Sequence, residues 1–329
     1  MKSWKTILGI AFSALFLFLA FRAVRLGELI EAFRSTDYRY VIPAMALMVV
    51  SLWIRAFRWR YLLSPVKTVG IRNLFYAVGV GMMVNVTFPA RLGEFVRAHA
   101  IGTKEQISRS ASFATIVVER VFDGFALLFF LIVPALFGSN YSPGWLRDAE
   151  LLAIAGYLIA LAVLIVLKSR PTLAMRAAAF VFKPLPAAMR DKLLTITGSF
   201  VEGLKIFRRS RSMVISVLLS PVVWFPIVAL IHCLLLGTGI HLPIQVSFLL
   251  LVALCVGVIV PSAPGYVGNT QFVCVEVLKL FGVPASKALT FSIIYSGCIF
   301  VPVLVTGLVC LFAEGLSFRE IRGIIGMQK

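Results

Sequence analysis

Apolar runs divided by short basic stretches dominate this chain. A helix that crosses a bilayer needs about 20 mostly apolar residues. Runs close to that length recur at Ile7–Phe21, Val41–Phe57, Ala111–Phe137, Leu151–Leu167, Met213–Leu236 and Ala288–Phe312. Two further runs are interrupted. One starts at Leu74, breaks within Asn85-Val86-Thr87-Phe88-Pro89-Ala90-Arg91-Leu92-Gly93-Glu94-Phe95-Val96-Arg97, and resumes to Ile101. The other, Ile244–Val260, breaks at Pro261-Ser262-Ala263-Pro264-Gly265-Tyr266-Val267-Gly268-Asn269-Thr270-Gln271 before Phe272–Phe281. Proline lacks a backbone N–H and clashes with the turn before it. In a bilayer, broken backbone is tolerated only against protein or a water-filled cavity. The pattern predicts an all-α polytopic membrane protein, a single integral membrane domain over 1–329. It has about six full spans and two re-entrant hairpins, 74–101 and 244–281, with Pro89, Gly93, Pro261 and Pro264 marking the breaks.

Charge sets the orientation. The chain carries 32 Lys and Arg against 14 Asp and Glu, a formal net charge of +18. The basic residues gather between the apolar runs, most densely in 168–211, which places that loop and both basic termini in the cytoplasm. Lys2 and Lys5 precede Ile7–Phe21, which reads as an uncleaved first span. The connectors 138–149 and 237–243 then lie outside, provided each hairpin leaves on the side it entered. Hairpin 74–101 would dip in from the cytoplasm and hairpin 244–281 from outside, followed by the long spans 111–137 and 288–312. A unit repeated in inverted orientation is a common transporter construction. Arg22–Arg39 falls outside in this scheme despite four arginines, which Glu28, Glu31 and Asp37 offset. Its Leu26, Leu29, Ile30 and Phe33 recur at helical spacing and predict an interfacial amphipathic helix. Trp53-Ile54-Arg55-Ala56-Phe57-Arg58-Trp59-Arg60 reads as a headgroup-level anchor, with Arg55 one turn deeper.

Composition narrows the function classes. The chain is 60% hydrophobic and 14% charged, well away from the roughly 25% charged residues of soluble domains. Its basic charge lacks any nucleic-acid recognition motif. Five cysteines form no C-x-x-C pair and three histidines share no ligand spacing, so neither a metal nor a cofactor is expected. No polar stretch is long enough for a separate catalytic domain.

Charges at membrane depth mark candidate function. In the first break these are Asn85, Arg91, Glu94 and Arg97, the last three spaced along one side of a short helix. Arginine offers a two-pronged donor to phosphate. In the following span Thr115, Glu119 and Asp123 share a face, and Arg120 lies three residues before Asp123. Pairing of these acids with Arg91 or Arg97 is one expectation; a proton or headgroup relay is the other. The second break offers Gly265, Gly268, Asn269 and Gln271, with backbone N–H groups at a helix start suited to an anion.

Together, Asn85-x-x-x-Pro89-x-Arg91-x-Gly93-Glu94-x-x-Arg97, Glu119-Arg120-x-x-Asp123 and Pro264-Gly265-x-x-Gly268 resemble the flippase-like family related to the transmembrane region of lysylphosphatidylglycerol synthase. The resemblance covers nearly the whole chain and implies an inner-membrane protein whose two re-entrant helix pairs surround a lipid-accessible cavity. This chain lacks the synthase's soluble domain, so aminoacyl transfer is not implied. Many members carry Glu where Gln271 stands and a basic residue after the Tyr of Tyr295-Ser296, which implies a different lipid here. The expectation is a lipid translocator, not an enzyme, whose partners are membrane lipids with phosphate-bearing headgroups and which is open to homo-oligomerisation. The alternatives are a membrane enzyme on a lipid-linked substrate and a regulatory partner of another complex.

Overall fold

In the computed structural model the described residues are 3–22, 24–88, 92–136, 170–184, 211–258 and 263–313, with short pieces between 155 and 198. All are helix, turn or connecting segment, without a strand among them. The helices are α1 Ser3–Phe21, α2 Leu26–Arg34, α3 Val41–Leu63, α4 Ile71–Thr87, α5 Gly93–Lys104, α6 Arg109–Leu136, α7 Pro171–Val181, α8 Arg211–Gly237, α9 Ile244–Gly257, α10 Asn269–Lys279 and α11 Ala285–Ala313. Three helical segments are long and apolar enough to cross a membrane: Tyr38–Leu63, Arg211–Gly237 and Ala285–Ala313. The 28-residue α6 has the length, but Glu119, Arg120 and Asp123 interrupt its apolar character. The predicted span Leu151–Leu167 lies largely outside the described residues, as do Pro89, Arg91, Pro261, much of 168–211 and the basic C-terminal tail.

Both predicted breaks separate two short helices, α4 from α5 and α9 from α10. At about 1.5 Å per residue, the 12-residue α5 and 11-residue α10 are too short for a hydrocarbon core about 30 Å thick. Within each pair a glycine permits the crossing. Gly93 packs directly on Gly81, with its N–H donated to Asn85 Oδ1 at 2.8 Å. In the second pair Asn269 donates its side-chain N–H to the Gly257 carbonyl.

The contacts of one half are mirrored in the other. Helices α3 and α8 share the most extensive interface. Around them α4 packs on α11 while α9 packs on α6, and α5 packs on α6 while α10 packs on α11. Helix ends match as well. Helix α5 closes with Gln106 at φ 52° and an Ile107 N–H to Gly102 carbonyl bond; α10 closes with Gly282 at φ 74° and a Val283 N–H to Leu278 carbonyl bond. These are the left-handed helix stops expected of Schellman-type caps. The helix contacts thus fall into two matching sets.

Helix α2 forms where the amphipathic helix was expected: Leu29 and Ala32 are buried and Phe33 packs on the core, while Leu26 and Ile30 are exposed. One local reading needs correction. In α3 the helix runs on to Leu63, and Arg55, Arg58 and Trp59 face inward and are buried. Only Trp53 and Arg60 keep the outward position of a headgroup anchor. Positions 55, 58, 59 and 62 form one helical face, and that face meets carboxylates on α6.

Outside the spans, Glu105 ties the end of α5 to the first turn of α4 and to the connector before it. It accepts from Asn73 Nδ2 at 2.7 Å and pairs with Lys67 Nζ at 3.1 Å. The Asn73 hydrogen bond first, then Lys67, holds its carboxyl below the usual value. A depressed carboxyl stabilises the fold above its unfolded pKa and loses that contribution as pH falls through the folded one. Unfolding midpoints should therefore drop below about pH 4.5 by less in Glu105→Gln than in wild type. The difference should be under about 1 kcal/mol, because Lys67 is largely solvated. Identical pH profiles would contradict this.

Candidate functional site

The inward faces of α3, α5, α6 and α8 meet in one network of charges. Near the middle of α6, Glu119 and Asp123 are 0% and 4% exposed. Burial of an uncompensated carboxylate costs several kcal/mol, and arginines from three helices supply the compensation. Arg97 on α5 makes a two-pronged bond to Glu119, Nη1 to Oε1 at 3.0 Å and Nη2 to Oε2 at 2.7 Å. Arg58 on α3 reaches both acids, Nη2 to Glu119 at 3.1 Å and Nη1 to Asp123 at 2.6 Å. Arg120 pairs with Glu119 at 3.3 Å, Asp123 at 3.2 Å and Glu94 on α5 at 3.4 Å. Arg55 adds a looser 3.7 Å contact to Asp123.

Aromatic and hydroxyl groups fix these side chains. The Arg97 guanidinium lies 3.7 Å over the Trp59 ring, and the Trp59 indole N–H donates to Thr115 Oγ1 at 3.0 Å. Arg55 lies 4.5 Å over Trp224 of α8, whose indole N–H donates to Asp123 at 3.3 Å. Ser220 of α8 accepts from Arg58 at 3.1 Å. Stacking of this kind strengthens when the cation is desolvated. Four arginines thus face three carboxylates among the described residues, one positive charge in excess.

Among its described residues the network is accessible at Arg120 and Glu94. Arg58 is fully buried and Arg55 and Arg97 are each 5% exposed, whereas the Arg120 and Glu94 side chains are 31% and 22% exposed. The tip of the second helix pair, the 3-10 turn Pro264–Tyr266, packs on α4. Its Tyr266 lies within electrostatic reach of Arg120.

Of the residues singled out in the sequence, the structure brings together Glu94, Arg97, Glu119, Arg120 and Asp123. The expected pairing of Glu119 with Arg97 is present. Asn85 stands apart from this network as the clasp between α4 and α5. In the second pair, Gln271 accepts the Gly268 N–H at 2.7 Å and donates to Ser296 at 3.1 Å. Ser13 of α1 takes the Ala263 N–H at 2.7 Å. Gln271 and Ser13 thus accept from two of the backbone N–H groups around the second break. Gly265 and Gly268 adopt φ values of 74° and 88°, and a Cβ at Gly268 would strike the Ser13 carbonyl. Sequence reasoning missed Arg58, Trp59, Ser220, Trp224 and Tyr266.

Comparison with known proteins adds an independent line. A family model described as the lysylphosphatidylglycerol synthase TM region matches residues 6–307. A UPF0104 membrane protein of Methanocaldococcus jannaschii is 27% identical over 308 residues, covering 89% of this chain and 90% of its own. Another UPF0104 membrane protein, from Methanothermobacter thermautotrophicus, is 34% identical over 110 residues, 32% of each chain. Glycosyltransferase AglD of Haloferax volcanii is 34% identical over 101 residues, 30% of this chain but 16% of that protein.

Proposed function

Because the chain belongs to the family of the lysylphosphatidylglycerol synthase transmembrane region, we propose that it is a lipid translocator. It moves a phosphate-bearing headgroup across a cytoplasmic or inner membrane while the acyl tails stay in the bilayer. The observation that carries this reading is the charge network at mid-helix depth, buried at Arg58, Arg97, Glu119 and Asp123 and partly exposed at Arg120 and Glu94. Intramembrane charges are costly enough that they mark a transport path more readily than a scaffold. Helix pairs α4–α5 and α9–α10 are read as re-entrant hairpins of opposite orientation, because their second arms are too short to span. The loop 168–211 and both termini then face the cytoplasm.

The likeness to part of a glycosyltransferase favours a second reading, a membrane enzyme acting on a lipid-linked substrate. The geometry argues against it. A general acid or base needs a proton to exchange, and both Glu119 and Asp123 are held by several arginines each.

Transfer of labelled lipid in liposomes tests the proposal. Vesicles containing the protein should expose inner-leaflet headgroups to an impermeant quencher faster than protein-free vesicles. Rates no faster than in protein-free vesicles for phosphatidylglycerol, phosphatidylethanolamine and polyprenyl-phosphate probes alike would overturn it, and a modified lipid product would favour the enzyme.

A further inference from the structure

The two halves carry the same bond at equivalent places with different chemistry. Arg120 and Ser296 are each the twelfth residue of their long helices, α6 and α11. Each meets the first turn of the preceding short helix: Arg120 meets Glu94 at 3.4 Å, and Ser296 meets Gln271 at 3.1 Å. The flanking sequences agree, Glu94-Phe95-Val96 against Gln271-Phe272-Val273. In the second half this bond is neutral and its Gln271 is 5% exposed, with both ends of the amide engaged. In the first half the bond is ionic, half-exposed and the longest of the three that Arg120 makes to carboxylates.

Tyr266 adds a second feature at the same edge. It is one of two non-glycine residues at positive φ among those described, at 56°. Such strain persists where the surroundings enforce it and gathers at functional sites. The residue is half-buried, it lies near Arg120, and its hydroxyl makes no hydrogen bond to another described residue.

We propose that Arg120 and Tyr266 are the headgroup contacts, and that they select a phosphodiester headgroup of net charge −1, with no cationic group of its own, whose phosphate displaces Glu94 from Arg120. This rests on the translocator reading and names its substrate class. Arg97, with both terminal nitrogens on Glu119 and its face on Trp59, is a positioning residue. Among the described residues of the network, the arginines outnumber the carboxylates, which favours an anion at its exposed edge. The hydroxyl of Tyr266 serves as a second donor from the opposite half. Glu94 acts as a built-in competitor, holding Arg120 when no headgroup is present.

The test is lipid binding by the purified full-length chain, read by native mass spectrometry with phosphatidylglycerol and phosphatidylcholine as probes. Unfolding midpoints verify that each variant is folded. Wild type should prefer phosphatidylglycerol by about tenfold, the scale of one charge-assisted hydrogen bond. Arg120→Gln should erase that preference, and Tyr266→Phe should reduce it about threefold, the effect of one neutral hydrogen bond. Glu94→Gln should raise it, because the competitor is removed. The sign of that last change distinguishes exchange from general loss of charge. Equal binding of both lipids by wild type, a preference unchanged in folded Tyr266→Phe, or a preference lowered by Glu94→Gln would each overturn the proposal. Wild type that selects phosphatidylglycerol but moves no lipid overturns translocation alone. Wild type that moves both lipids equally and binds them equally overturns this assignment alone.

Discussion

Arg58→Met should destabilise the protein by about 3 kcal/mol, near the lower end of the range for breaking a buried ion pair. Arg58 joins Glu119 to Asp123 from the inward face of α3, fully buried, through contacts of 3.1 and 2.6 Å. Methionine fills similar space but leaves both carboxylates short of one cation. Arg97 and Arg120 remain and keep the cost from rising further. Arg60→Met, one turn-face away and exposed, should change stability by less than about 0.5 kcal/mol. Adding Asp123→Asn to Arg58→Met should restore part of the loss, because it removes the stranded charge. Denaturant unfolding in detergent measures all three. An Arg58→Met variant no less stable than Arg60→Met would contradict the network.

Gly93→Ala should be the second large effect. A Cβ on Gly93 would overlap the Gly81 carbonyl oxygen and lie 2.7 Å from Asn85 Oδ1. Both obstacles are fixed, one by backbone and one by the bond that clasps the two arms. The arms must separate, at a cost of about 1–3 kcal/mol for overpacking. Because α5 carries Glu94 and Arg97, separation also displaces the network, so lipid transfer should fall more than stability. Gly124→Ala is the control, since nothing lies within 4 Å of its added Cβ. Helix propensity should make that change neutral or slightly stabilising. A Gly93→Ala variant with wild-type stability and transfer would show that the close crossing is not required.

The helix pattern was readable because apolar run length and proline breaks act locally. The positions of α4, α5, α9 and α10 follow from Pro89, Gly93 and the Pro261–Gln271 stretch, and the structure places those helix ends within a few residues. The face of α3 was not readable. Trp53–Arg60 mixes aromatic and arginine side chains, and a headgroup belt and a buried cation cluster share that composition. Only the position of α6 beside α3 decides between them. The pairing of Arg97 with Glu119 was within reach, because a deep carboxylate needs a partner and the sequence supplied few cations at similar depth. Tyr266 escaped notice for the opposite reason. Its role depends on the second helix pair meeting the first, and no local spacing encodes that. A local likeness does exist in the sequence: Glu94-Phe95-Val96 and Gln271-Phe272-Val273 differ in charge at their first position.

The neutral second half also sharpens the reading of the first break. Asn85 and Gly93 serve the crossing of helices, while Glu94, Arg97 and the α6 cluster carry the charge. The proposed function therefore rests on the Arg120–Glu94 edge of the network.

Headgroup transfer in liposomes, compared for wild type, Arg120→Gln and Arg176→Gln, tests that claim most directly. Arg176 is exposed on α7 and takes no part in the ion pairs described for the network. Arg120→Gln should slow transfer about tenfold or more, as expected for a lost charge-assisted contact, while Arg176→Gln should stay within about twofold of wild type, as expected for a surface change. Transfer at the wild-type rate by folded Arg120→Gln, or equal losses in the two variants, would contradict it.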